Sequence, residues 1–390
     1  MRRSAFQSRP PLISPAAIKL WRRLAIASNW PVLAAVLVLS ATGLMTIYFQ
    51  NPALGLTELR YLCVALGCMA VVQLVPYTAI GRYAWGFYIF SLLLVLYTVI
   101  GAHVSVPGVE NVKGAYAWIH FGSLSLEPSE LMKIAFILVL ARYLRFRSTF
   151  RTFPGLLPPL LLALFPMTLI LMQPDLGVAA LFAPTLLAML FVAGARAKHL
   201  LIIFAIALMM VPVFWFGLMR PYQRDRVLSM ISSDPQARRT TGYQTEQTQT
   251  AMGFGGIAGR GAGNLTVSRH VPEAYNDMIF AVIGEQFGFI GSVLVLIAYG
   301  VLFAAGIEIS AGTREPFAKL VALGIVVLLA SQTTLNLMVV MGLFPVTGVT
   351  LPFVSDGGSS LVASFVEVGL LLNIGQNRPL VIARPAFEFD

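Results

Sequence analysis

Charge is the scarcest property of this chain. Only 11% of its 390 residues are Asp, Glu, Lys or Arg, against about 25% in an ordinary soluble domain. Hydrophobic residues make up 57%, and mean hydropathy is +0.80. A soluble fold of this length has too little interior to hide that much apolar surface, so the polytopic membrane class is the one left. Cysteine is nearly missing too. Cys63 and Cys68 lie five apart in one apolar run, which suits neither a disulfide nor a metal site, and both read as packing residues. The histidines, His103, His120, His199 and His270, are dispersed. There is no Walker A, GxSxG, HExxH or CxxC pattern, so ATP-driven, serine-hydrolase and zinc chemistries find no support. Period-2 alternation is absent, which excludes a barrel and selects helices. No internal repeat of the inverted-transporter kind is visible.

What is there is a series of apolar runs. Ten can be read, at roughly 29–49, 59–77, 83–101, 129–144, 154–172, 176–194, 198–219, 278–307, 317–343 and 351–375. The expected fold is all-α: a polytopic membrane protein of ten transmembrane helices. The fourth run is short and amphipathic, with Glu130 and Lys133 near its start. Ten spans put both ends on one side. Arg2, Arg3, Arg9, Lys19, Arg22 and Arg23 before the first run, and Arg142, Arg145, Arg147 and Arg151 at and after the end of the fourth, make that side the cytoplasm (N-in, C-in). Residues 1–28 then form a basic cytoplasmic tail, too long and Pro-rich for a signal peptide. Residues 29–375 form the membrane domain and 376–390 a cytoplasmic C-terminal tail.

One large extracytoplasmic loop, 220–277, separates helices 7 and 8, and short amphipathic helices are expected within it. It holds Arg220, Arg224, Arg226, Arg238, Arg239, Arg260 and Arg269, and the glycine cluster GFGGIAGRGAGN. An Arg-rich, acid-poor loop suits an anionic ligand such as a pyrophosphate, or lipid headgroups. Where the chain re-enters the membrane it reads VPEAYND. Pro272 fits the first position of a helix, which would set Glu273 and Asp277 on one face. Such carboxylates either complement a helix dipole or provide a general base at the membrane mouth.

Three further stretches stand out. In PSELMK, Pro128 starts a helix, and Glu130 and Lys133 are one turn apart, either a self-compensating pair or the lining of a cavity. In QPDLG, Asp175 reads as a helix cap. In LPFVSDGGSS the apolar run breaks near the outer surface, and Asp356 and the later Glu367 are expected to face inward.

Together with GAYAWIHFG, RPYQRDRV and GYQTEQTQTAMGFGGIAGRGAG, these stretches resemble the SEDS family (RodA/FtsW/SpoVE) over about residues 33–380. PYQRDRV, VIGEQFGFIG and PVTG lean towards its RodA branch. The resemblance implies a peptidoglycan glycosyltransferase of the bacterial cytoplasmic (inner) membrane. Such an enzyme polymerises lipid II with inversion and releases undecaprenyl pyrophosphate, serving elongation or division.

The family's catalytic carboxylate maps onto Asp277, as general base. Glu273 then tunes it, Arg224 and Arg226 steady the leaving pyrophosphate, and Glu130 and Lys133 line the central cavity. Gln247, Ser359 and Ser360 complete the implied substrate-binding set. A divalent cation is the one cofactor left open, and no metal-ligand pattern is visible. The implied partners are lipid II, the membrane and a class B penicillin-binding protein (a transpeptidase), with no nucleic acid. A lipid-linked precursor flippase and a non-catalytic scaffold are the competing readings. The sequence departs from the family pattern at Asp356, where an aromatic is usual, and at Gln249 and Thr250.

Overall fold

The computed structural model describes residues 29–377, apart from 111–114, 123, 148, 219–223, 226, 229–242 and 272–273. The 1–28 tail, residues 378–390 and much of the 220–277 loop, including Arg226 and Glu273, lie outside the described residues.

Helices begin where a proline or a capping side chain meets an apolar run. After α1 (Trp30–Tyr48), Asn51 accepts hydrogen bonds from the backbone of Ala53 and Leu54 and opens α2 (Pro52–Leu74). The short α3 (Tyr77–Arg82) leads into α4 (Ala84–Gly101). Pro128 is the first residue of α5 (Pro128–Arg145), as its position before Ser129-Glu130 predicts. Next come α6 (Leu157–Met172) and α7 (Leu176–Ala193), the latter capped by Asp175 at 3.0 Å from Val178 N, and then α8 (Ala197–Val213). The polar loop helix α9 (Tyr243–Gly255) precedes α10 (Ile279–Gly312), α11 (Pro316–Val340) and α12 (Gly358–Gln376).

Among the described residues, nine helices are long and apolar enough to cross a membrane. These are α1, α2, α4, α6 (with the 3-10 turn before it), α7, α8, α10, α11 and α12. The helix of the fourth apolar run, α5, falls outside that class because it carries Glu130, Lys133, Arg142 and Arg145. It is nonetheless buried almost all round, against α4 and α11. The most extensive helix pairing is α12 along α2, and α10 lies along α1.

The apolar runs misplace several boundaries. The second helix starts at Pro52, ahead of the expected 59, because Thr57 and Glu58 interrupt the run without interrupting the helix. The last helix starts at Gly358, since residues 351–357 form turns. Pro272 lies outside the described residues, but residues 274–278 are turns and α10 starts at Ile279, so Asp277 precedes the helix rather than sharing a helical face. The α-only expectation also omits a hairpin, Ile119–Phe121 paired antiparallel with Leu124–Leu126.

The glycine cluster of the loop has a structural use. α10 breaks at Gly288, whose φ of 66° suits glycine. Loop backbone pairs with the break: Phe289 N donates to Gly256 O (2.9 Å) and Arg260 N to Glu285 O (3.0 Å). A Cβ on Gly288 would collide with Gly259 N and Ile257 O. Beside it, the buried Glu285 carboxylate accepts from the backbone N–H groups of Thr266, Val267 and Ser268 and from the Ser268 hydroxyl. Those donors hold its charge, and among the described residues no salt bridge to Glu285 is found.

Candidate active site

A cavity of about 1000 Å³ opens at the end of the bundle where α5, α7 and α12 begin and α11 ends. Its wall includes Glu127, Glu130, Lys133, Asp175, Gln332 and Asp356. The hairpin contributes His120 and Ser125, the connecting segments contribute Asn276, Thr350 and Gly357, and the start of α12 contributes Gly358, Ser359 and Ser360.

One polar relay ties these elements together. Lys133 Nζ is 2.9 Å from Glu130 Oε1 and donates to Gln332 Oε1 at 3.0 Å. Gln332 Nε2 donates to Thr350 O at 3.1 Å, and Thr350 Oγ1 lies 2.8 Å from Ser360 Oγ. A second anchor fixes the turn before α10: Asn336 Nδ2 donates to both Asp277 O and Val349 O at 2.8 Å. Asp356 N donates to Tyr275 O at 2.9 Å. The break in LPFVSDGGSS is thus pinned between the VPEAYND turn and α11. Phe353 in that break holds φ 67°, a left-handed conformation costly for a side chain of its size.

Acid dominates the wall. Burial pushes Glu127 up to about 8, and the neighbouring Glu130 and Asp175 add to the shift; Ser129 Oγ, donating at 2.7 Å, opposes it. Burial also raises Asp175, to about 6, against the pull of Val178 N–H and Lys133. Lys133 is the one Lys or Arg in the lining among the described residues. Glu367 is 2% exposed, facing inward as the sequence suggests. On the α12 side, Glu58 of α2, 4% exposed, hydrogen-bonds Asp356 side chain to side chain. No group of three or more His, Cys, Asp or Glu poised to hold a metal ion occurs among the described residues.

The structure brings Glu130, Lys133, Ser359 and Ser360 together in the wall. Asp277, 6% exposed, is not itself a lining residue, although its neighbour Asn276 is. Arg224 is away from the cavity: it donates to Phe216 O at 3.0 Å, beyond the end of α8. Gln247, half-buried on α9, does not line it either. Arg260 lies over the Phe254 ring and donates to Phe254 O, so that guanidinium is also engaged outside the cavity. Arg226 and Glu273 lie outside the described residues. Sequence reading missed Glu58, Glu127, His120 and Gln332 as site residues. The available signal was a polar residue interrupting an apolar helix at Glu58 and Gln332.

Comparison with known proteins follows the same stretches. The FtsW/RodA/SpoVE family, described as "Cell cycle protein", matches residues 21–379. Stage V sporulation protein E of Bacillus subtilis is 34% identical over 349 residues, covering 87% of this chain and 92% of that protein. Peptidoglycan glycosyltransferase MrdB of Escherichia coli K12 is 30% identical over 354 residues, covering 90% and 93%. Among solved structures, one chain comes from work on the structural coordination of polymerization and crosslinking by a peptidoglycan synthase complex. It superposes with a TM-score of 0.78 at 30% identity, over 91% of this chain and 99% of that one. Rod shape determining protein RodA of Thermus thermophilus superposes with a TM-score of 0.67 at 27% identity, over 90% and 98%.

Proposed function

The chain belongs to the FtsW/RodA/SpoVE family, and from that premise we propose that its cavity is where lipid II is joined into glycan strands. The protein is a peptidoglycan glycosyltransferase of cell-wall synthesis and a multi-pass inner-membrane protein. The observation that carries the finer reading is the convergence of four sequence-distant polar stretches on one cavity. These are Glu127–Lys133, Gln173–Asp175, Asn276 and Asp356–Ser360.

In this reading α5 is a tenth span; 18 residues at about 1.5 Å each reach about 27 Å. Both termini are cytoplasmic, and the cavity faces the outer leaflet with the 220–277 loop. The 4-hydroxyl of the acceptor sugar attacks the anomeric carbon of the donor. The bond from that carbon to the phosphate oxygen breaks, and undecaprenyl pyrophosphate leaves with the electron pair. The α-linked donor becomes a β-linkage, and the hydroxyl proton passes to a base.

We assign that base to Asp277. The support is its place in the turn that presents Asn276 to the cavity, held by the Asn336 that also holds Val349 in the wall. A class B penicillin-binding protein is the proposed partner, in line with the crosslinking complex that contains a similar chain. The reaction serves elongation or division.

The test is polymerisation of labelled lipid II by the full chain reconstituted with its transpeptidase, as wild type and as Asp277→Asn. The amide keeps size and removes the base, so the rate should fall by at least about 100-fold. Equal polymer from both would move the base elsewhere. No polymer from a folded wild-type complex would favour a flippase or a scaffold.

A further inference from the structure

Glu58 and Asp356 are acids that hydrogen-bond to each other across the α2–α12 pairing. Glu58 lies on the narrow buried stripe of α2, with Gly55 and Ala65, and is 4% exposed. One turn on, the Tyr61 ring sits where a Cβ on Gly358 would be, so the two helices approach closely beside the pair. Asp356 is more open and lines the cavity with Asn276 and Ser359. Two ionised carboxylates are acceptors only, so a hydrogen bond between them requires a proton on one. The more deeply buried group is the one for which charge costs most, so the proton resides on Glu58.

The arrangement then has a direction. Glu58 donates, Asp356 accepts, and the Asp356 carboxylate is presented to the cavity with its orientation set. A fixed carboxylate in the wall repels a phosphate. It attracts a neutral group rich in O–H and N–H donors. We propose that Asp356, oriented by Glu58, is a sugar-binding residue that accepts hydrogen bonds from the saccharide of the lipid-linked substrate, with Glu58 as its positioning residue. The inference rests on the glycosyl-transfer reading for the identity of that saccharide. It assigns the Asp356 side of the cavity to the sugar and away from the pyrophosphate.

The test is equilibrium binding, which does not need turnover. The purified full chain is titrated with two probes: disaccharide-bearing lipid II and undecaprenyl pyrophosphate without the sugar. Asp356→Asn and Glu58→Leu should each weaken binding of the sugar-bearing lipid about tenfold and leave the sugarless lipid unchanged. Glu58→Gln restores a donor to Asp356 and should recover affinity to within about threefold of wild type. The double variant should lose no more than either single one, because both act through one contact.

Equal loss for both lipids would overturn the assignment, as would no loss for either. Failure of Glu58→Gln to rescue would overturn the positioning role. Should Glu58→Leu fail to fold, the near-isosteric Asp356→Asn carries the same comparison. A wild type that binds the sugar-bearing lipid but makes no polymer would count against the polymerase reading and leave this one standing.

Discussion

Two buried acids, Glu130 in the wall of the cavity and Glu58 behind the lining residue Asp356, are neutralised in different ways. On the α5 wall Glu130 is paired with Lys133 at 2.9 Å, and Gln332 completes the lysine's bonds. On the α2–α12 wall Glu58 has a second carboxyl group, Asp356, as its partner. The first solution keeps charge in the wall and needs a counter-ion; the second keeps a proton and needs none. An ion pair in a low-dielectric site is costly to break, because the survivor is left charged and alone. A protonated acid is a neutral polar group, and its loss costs a hydrogen bond at most.

The largest effect should therefore come from Lys133→Met. It leaves the Glu130 carboxylate, 4% exposed, without its cation, and should lower stability by about 3–5 kcal/mol. Thermal unfolding in detergent measures this. Adding Glu130→Gln should recover much of the loss, since the pair is then removed rather than broken. If Lys133→Met were as stable as wild type, the α5 wall would not be held by its ion pair.

That contrast was half legible in the sequence. Glu130 and Lys133 announce themselves: they are one turn apart behind Pro128 in an otherwise apolar run. The Asp175 cap and the inward-facing Glu367 were also readable, because a charge inside an apolar frame has few places to go. Glu58 was hidden by the same logic. Counting apolar residues starts the second helix after it, whereas the Asn51 cap and Pro52 start the helix before it. Its partner is about 300 positions away, and only the close packing of α2 on α12 brings the two together. The Arg-rich loop misled in the opposite sense. Its composition suggests a pyrophosphate grip, yet Arg224 and Arg260 bond backbone carbonyls outside the cavity. Arginine carries several donors, so composition alone does not say what they face.

Glu127 offers a second way to sharpen the comparison, through pH. Its ordinary value of 4.5 is raised to about 8 by burial, then by Glu130 and Asp175. Between about pH 4.5 and 8 the folded protein holds a proton that the unfolded chain has released. Stability should accordingly fall as pH rises through that window, and level off above it. Glu127→Gln removes the titration. Its unfolding temperature should vary less between pH 5 and 8, with a gain on the order of 2–4 °C at pH 8. Parallel curves for wild type and variant would show that Glu127 is ionised throughout that window.

The smallest effect should belong to the other wall. Glu58→Leu replaces a neutral acid in an apolar helix with a residue the helix readily holds. Asp356 loses one donor, but it faces the cavity, where water can replace that bond. The change in stability should be about 1 kcal/mol or less. That is well below the cost of Lys133→Met, although each substitution removes one partner of a buried pair. The small cost matters for function, because it lets the variant fold while Asp356 loses its fixed orientation, and an altered affinity can then be attributed to the contact. A destabilisation as large as that of Lys133→Met would mean that Glu58 is charged, with a cation drawn in to balance it. The two walls would then be variants of one solution, and the assignment of this side to a neutral sugar would fail with the distinction.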